Sequence, residues 1–124
     1  MAAVKKFEDL EIWQLARIQV KNIYQITFKL SPELAYQIRR SSASVMDNIA
    51  EGFARGGRKE FKNFLIIAKG SNAEVRSQLY RISDLEFSTQ FNIADYLNEN
   101  DLIGKKINTL ISYLKLSDNP GSNY

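Results

Sequence analysis

The sequence predicts an all-α protein, an antiparallel four-helix bundle with up-down-up-down order. Apolar residues recur with a helical period in four segments, at about residues 8–29, 32–54, 58–89 and 93–116. Short turn-like segments separate them, and no stretch alternates as a strand does. Because short connections favour antiparallel neighbours, we predict a single domain over residues 1–124 that ends in a flexible tail at 117–124.

The first helix is predicted to start with acidic residues that complement the helix dipole, Glu8, Asp9 and Glu11. Its apolar stripe is predicted to contain Leu10, Trp13, Arg17, Val20, Tyr24 and Thr27, broadened by Ile12, Leu15, Ala16, Ile23 and Ile26. The second helix has a clear start, because Ser31 can cap it and Pro32 suits its first position. Its stripe is Leu34, Ile38, Val45, Ile49 and Phe53.

Glycines are expected to end the second helix, since Gly52, Gly56 and Gly57 can adopt the left-handed conformation. The third helix carries the stripe Phe61, Leu65, Ala68, Val75, Leu79 and Ile82. Gly70 lies within it, and we attribute this glycine to a close helix crossing. Asn92 can cap the fourth helix, in which the weakly helical segment 98–101 suggests a kink or a short separate turn.

Composition excludes several kinds of chemistry. The 124 residues include no cysteine and no histidine, which excludes disulfides, thiolate chemistry and the commonest general base and metal ligand. A reducing cytoplasm is therefore the expected location. No signal-peptide pattern or membrane span is present, as the longest apolar run is only Phe64–Ala68. We expect no cofactor and no enzymatic activity.

Polar side chains follow a helical spacing on both sides of the predicted turn between the second and third helices. They are Gln37, Arg40, Ser44, Asn48, Glu51, Ser71 and Glu74. In the predicted register Ser41 lies opposite Ser71, Ser44 lies opposite Ala68, and Arg40 reaches Glu74. The favoured interpretation is a hydrogen-bond network that sets helix register; the alternative is a site for a small polar ligand.

The two carboxylates in this set, Glu51 and Glu74, are the groups that a metal ion or an enzymatic reaction could use. Bundles that bind two metal ions combine glutamates with Glu-x-x-His motifs, and histidine is missing here. Glu51 and Glu74 alone therefore make a poor metal site. An enzyme that uses either of them is the least favoured hypothesis.

The turn between these helices is basic, with Arg55, Arg58, Lys59 and Lys62 within eight residues, offset only by Glu60. It is not a phosphate-binding loop, because no Gly-Lys-Ser/Thr follows and no strand precedes it. We hypothesise that these four side chains contact phosphates of RNA or DNA. The other interpretation is a solvated helix connection.

Large apolar side chains exceed what one small bundle needs, which indicates a partner surface. The default partner of a lone chain is a second copy of itself. The alternative hypothesis is a structural adaptor that binds another protein through an exposed apolar face, without affinity for nucleic acid.

Four sequence blocks resemble the 23S rRNA intervening-sequence proteins. They are Phe7-Glu-Asp-Leu-Glu-Ile-Trp-Gln-Leu-Ala16, Gln37-Ile-Arg-Arg-Ser-Ser-Ala-Ser44, Asn48-Ile-Ala-Glu-Gly52, and Glu60-Phe-Lys-Asn-Phe-Leu-Ile-Ile-Ala-Lys-Gly-Ser71 with Glu74. The resemblance covers about residues 7–116. It implies a bundle that assembles into a ring, a homopentamer. By similarity to the accessory variability protein of diversity-generating retroelements, it also suggests nucleic-acid binding. Asn72-Ala73 stands where the family usually has a more hydrophobic pair.

Overall fold

A computed structural model describes residues 3–85 and 90–116, and shows four α-helices that pack as a bundle. They are α1 (Glu11–Thr27), α2 (Pro32–Ala54), α3 (Arg58–Ser83) and α4 (Ile93–Leu116). No strand occurs in the described ranges. The all-α prediction is therefore confirmed.

The helix bounds differ from the predicted ones at three ends. A short 3-10 turn, Phe7–Asp9, and the extended residue Leu10 precede α1, so the α-helix begins three residues later than predicted and ends at Thr27 rather than at 29. Helix α3 ends at Ser83, with Asp84 as its C-cap, so the predicted extension to 89 is wrong at residues 84 and 85; residues 86–89 lie outside the described residues. Helix α4 runs without interruption through 98–101, where a kink was suggested. The predicted tail at 117–124 also lies outside the described residues.

Helix α2 has the predicted bounds because its start is strongly encoded. The Ser31 hydroxyl oxygen accepts a hydrogen bond from the backbone N–H of Leu34 at 3.3 Å, and Pro32 occupies the first helical position. Pro32 has no N–H to leave unsatisfied there. At the other end, Arg55 caps the helix with backbone hydrogen bonds.

The buried residues of α2 and α3 match the predicted stripes closely. Ile38, Val45 and Ile49 of α2 are fully buried, as are Leu65 and Leu79 of α3. Burying one such side chain contributes about 1.5–3 kcal/mol. The stripe of α1 is rotated from the predicted one, and its buried residues are Ile12, Trp13, Ala16, Gln19, Ile23, Ile26 and Thr27. The rotation places Gln19 in the core and leaves Arg17 and Tyr24 exposed on the outer side of the helix.

A close approach between α2 and α3 occurs at Gly52, and none occurs at Gly70, where it was predicted. Gly52 is buried inside α2, and a Cβ added there would lie 2.5 Å from Cβ of Phe64. A Cβ added at Gly70 would meet nothing within 4 Å. Gly52 therefore permits the crossing and does not end the helix. Gly56 alone takes a positive φ among the described residues, at 85°, and forms the turn.

Contacts between neighbouring helices advance in opposite directions along the chain. Between α1 and α4, Glu11 contacts Lys106 and Asn22 contacts Glu99. Between α3 and α4, Arg58 contacts Leu114 and Arg76 contacts Leu97. These contacts are consistent with the predicted up-down-up-down order.

Candidate functional site

The basic turn lies where α2 ends and α3 begins. Arg55 closes α2 with a backbone hydrogen bond to Glu51, the positive φ of Gly56 reverses the chain, and Gly57 precedes the first residue of α3. The N-cap residue of α3 is Gly57, which has no side chain, and no side chain caps this helix. The free N–H groups of this helix start therefore add positive potential to the turn.

Arg55 is held by its neighbours within the hairpin. Its guanidinium lies 3.1 Å from the Glu51 carboxylate and 3.8 Å from that of Glu60, and its Cζ lies 5.2 Å from the centre of the Phe64 ring. Both carboxylates are about half exposed. The two ion pairs offset the charge of Arg55, so this residue offers less to an external anion than the sequence suggested.

Arg58 reaches across to the fourth helix. Its Nη2 donates a hydrogen bond to the backbone oxygen of Leu114 at 3.1 Å. The last carbonyls of a helix have no partner within the helix, and a cation there also complements the dipole. Arg58 therefore ties the start of α3 to the end of α4.

The remaining lysines of the turn, Lys59 and Lys62, are not held by ion pairs with any described residue. Lys59 is exposed and Lys62 is half-buried. The N-terminal segment adds Lys5 and Lys6, which line a cavity of about 500 Å³ together with the glycines of the turn. No local sequence pattern indicates that this N-terminal segment packs beside the turn.

The polar seam between α2 and α3 forms hydrogen bonds, in a register shifted by about one turn. The hydroxyl oxygens of Ser44 and Ser71 are 2.7 Å apart, and Asn48 Nδ2 donates to the backbone oxygen of Ser44 at 2.8 Å and to its hydroxyl at 3.0 Å. Ser41 hydrogen-bonds to Gln78. The predicted pairs Ser41 with Ser71 and Ser44 with Ala68 are therefore wrong.

Other residues of the seam lie at its edges. Gln37 accepts a hydrogen bond from Arg81 at 2.7 Å. Arg40 donates to the hydroxyl of Tyr36 at 3.2 Å and is not brought to Glu74, which is exposed and has no hydrogen bond to a described residue. Glu51 is exposed and paired with Arg55. Glu74 lines an open groove of about 560 Å³ with Arg40, Ser44 and Ser71, whereas Glu51 does not, so the two carboxylates are not brought together.

A second polar network, which the sequence patterns did not reveal, lies in the core between α1, α3 and α4. Asn100 Nδ2 is 3.0 Å from Gln19 Oε1, 3.0 Å from the backbone oxygen of Asn72 and 3.1 Å from Asn72 Oδ1. Gln19 Nε2 donates to Asn72 Oδ1 at 3.2 Å, and Asn72 Nδ2 donates to the backbone oxygen of Asn100 at 3.0 Å. All three side chains are buried. The polar residue at position 72 is thus part of this amide triad.

Burial raises the pKa of two side chains, Glu99 and Tyr96, in a small pocket between α1 and α4. Burial raises the pKa of Glu99, and the hydrogen bond from Asn22 at 2.9 Å opposes that rise. The pKa of Tyr96 is also raised, by burial first and then by the charges of Glu99 and Asp95. Nothing in this pocket pairs a nucleophile with a base.

The described residues contain no group of three or more histidine, cysteine or acidic side chains that could hold a metal ion. No helix within residues 3–85 and 90–116 is long and apolar enough to cross a membrane.

Comparison with known sequences identifies the family. The family model of the 23S rRNA-intervening sequence protein matches residues 8–109. No curated protein gives a significant match. The matched range contains α1, α2 and α3 whole and most of α4, and it includes the motifs that border the basic turn. The chain therefore belongs to the 23S rRNA-intervening sequence protein family.

Proposed function

We propose that this chain is a non-enzymatic, cytoplasmic bundle that assembles into a ring, a homopentamer, and binds RNA or DNA through the basic surface at the α2–α3 turn. One observation carries the proposal. Lys5 and Lys6 line the cavity beside the glycines of the turn, where Glu8 also lies, and Lys59 and Lys62 belong to the start of α3 at the same end of the bundle. None of the four lysines forms an ion pair with a described carboxylate.

This surface suits phosphates better than bases. Lysine is a flexible point charge, and each phosphate contact releases a condensed counterion without reading sequence. The uncapped start of α3 adds backbone N–H groups at the same place. Contacts at this surface alone would therefore select nucleic acid by charge and shape, and would not distinguish duplexes from single strands.

Assembly would multiply these contacts. Ile66 and Ile67 are neighbours on α3, and each side chain is about half exposed. Adjacent exposed apolar side chains of this kind often mark a surface that a partner covers. A ring of identical subunits repeats one basic end around its axis, so a modest affinity per subunit becomes a strong one by avidity. The single subunit has a net charge of only +3, which makes this repetition important.

The test of binding is a titration of labelled duplex DNA and RNA at about 50 mM and about 200 mM salt. Lys59→Ala with Lys62→Ala should lower affinity and reduce the slope of log K against log salt by about 1.8 for a duplex, since each phosphate contact contributes about 0.9. Lys69→Ala with Lys105→Ala, which removes the same charge elsewhere, should change the slope little. Equal effects of both pairs, or no binding at low salt, would refute the proposal.

A second candidate is an adaptor that uses the same exposed isoleucines to bind a different protein. It is favoured by those side chains and not by the lysines. Light scattering on a sizing column separates the two hypotheses. The ring predicts an oligomer that Ile67→Lys dissociates, whereas a monomer at micromolar concentration would exclude the ring and favour the adaptor.

A further inference from the structure

A second surface lies on the outside of α1 and α2, toward the other end of the bundle. It is an open groove of about 450 Å³, and its lining includes Tyr24, Tyr36, Arg39 and Arg40. Along α2, Arg40 is 15 residues before Arg55, which corresponds to roughly 22 Å of helix rise. The groove is therefore separate from the basic turn.

Arg39 presents a fixed guanidinium plane on one side of the groove. Its Nε donates to the hydroxyl of Thr27 at 2.8 Å, and its Cζ lies 4.7 Å from the centre of the Tyr24 ring. The buried Thr27 anchors this arrangement, while Tyr24 remains 50% exposed. The guanidinium of Arg39 is thus held over the Tyr24 ring at the surface of the bundle.

Arg40 and Tyr36 form the other side. Arg40 Nη1 lies 3.2 Å from the Tyr36 hydroxyl, and the Tyr36 side chain is 62% exposed. A hydrogen bond to one nitrogen leaves further guanidinium N–H groups for an anion. The Tyr36 ring and the Arg40 guanidinium are therefore adjacent, and together they suit a ligand that has a flat apolar part and a negatively charged part.

The charge of the groove indicates its ligand. No carboxylate lines it, and neither arginine forms an ion pair with a described residue. Contact with the same groove of a second copy would bring like charges together, which is unfavourable. A nucleotide satisfies the site, because its base can stack on tyrosine or guanidinium planes and its phosphate can accept hydrogen bonds from arginine.

We propose that this α1–α2 groove binds an unpaired nucleotide of single-stranded nucleic acid. The inference extends the proposed function, but it rests on different residues and on a different kind of contact. Phosphate contacts at the turn do not distinguish single strands from duplexes. Stacking requires a base that is free of its partner, so the groove would supply a preference for single strands.

The test measures affinity for a labelled ten-nucleotide oligouridylate and for a duplex of the same length. Tyr24→Ala with Tyr36→Ala should weaken binding of the single strand between roughly fivefold and a hundredfold, the range expected for lost stacking, and leave duplex binding unchanged. Arg40→Lys keeps the charge but loses the planar group, so it should also weaken single-strand binding. Tyr36→Phe keeps the ring and should stay near the wild-type affinity.

Tyr80 provides the matched control. It is 50% exposed and has the guanidinium of Arg76 at 5.7 Å from its ring, but it does not line the groove. The proposal is overturned if Tyr80→Ala weakens single-strand binding as much as the groove variants do, or if duplex binding falls equally. It is also overturned if the groove variants change only the oligomer mass, which would make the groove a contact between copies.

The two binding proposals can fail separately. Loss of single-strand preference in the tyrosine variants, with no effect of Lys59→Ala and Lys62→Ala, supports the groove and refutes the turn. The reverse result supports the turn and refutes the groove.

Discussion

Replacing Asn100 should test whether the buried amide triad stabilises the bundle. In Asn100→Ala, Gln19 Oε1 loses its only donor among the described residues, and Asn72 Oδ1 retains only Gln19. An orphaned buried acceptor costs about 1–3 kcal/mol, and the space left by the side chain adds about 1 kcal/mol. We expect the free energy of unfolding to fall by about 2–4 kcal/mol, and Tm to fall on the order of 10 °C.

The measurement is urea unfolding followed by circular dichroism, at one protein concentration because assembly also contributes to stability. Asn98 is exposed on the same helix, and Asn98→Ala should change the free energy of unfolding by less than about 0.5 kcal/mol. Replacing Gln19, Asn72 and Asn100 together by Leu should cost far less than the sum of the single changes, because no buried polar group is then left unpaired. A neutral Asn100→Ala, or additive costs in the triple variant, would refute the reasoning.

Two further predictions concern backbone space and pH. Gly52→Ala should destabilise the protein by about 1–3 kcal/mol, because the new Cβ would lie 2.5 Å from Cβ of Phe64. Gly70→Ala has open space around the new Cβ and should stabilise the protein by up to about 1 kcal/mol. Equal effects of the two substitutions in thermal unfolding would contradict the crossing assigned to Gly52. Because the pKa of Glu99 is raised above 4.5 in the folded state, its contribution to stability is complete below that pH and is lost as pH rises through the raised value. Glu99→Gln should therefore gain stability relative to the wild type as pH rises from below 4.5 toward neutrality, and a difference in urea midpoint that is constant with pH would be evidence against this.

The sequence predicted the helices well where apolar periodicity and caps agreed. Ser31 and Pro32 specify the start of α2, and the stripe through Leu65, Val75 and Leu79 faces the core as expected. Periodicity predicted the wrong stripe in α1, because Gln19 is buried there and a search for apolar residues does not detect a buried polar one.

The candidate site was predicted less completely, since its properties depend on long-range contacts. The local sequence identified the four cations of the turn. It did not indicate that Arg58 hydrogen-bonds to α4, or that Lys5 and Lys6 lie beside the turn. The one-turn error in register has a similar origin. The relative offset of α2 and α3 is fixed by the close contact at Gly52, which we had assigned to the turn.

The amide triad in the core carries no net charge. Its hydrogen bonds neither titrate near neutral pH nor weaken through screening by salt, unlike the ion pairs at the surface. The triad therefore holds α1, α3 and α4 in register whatever the salt concentration, although the Glu11–Lys106 ion pair between α1 and α4 is open to screening. If the proposed binding holds, such a bundle would release nucleic acid at high salt and keep its fold, and its surface lysines could vary without loss of helix register.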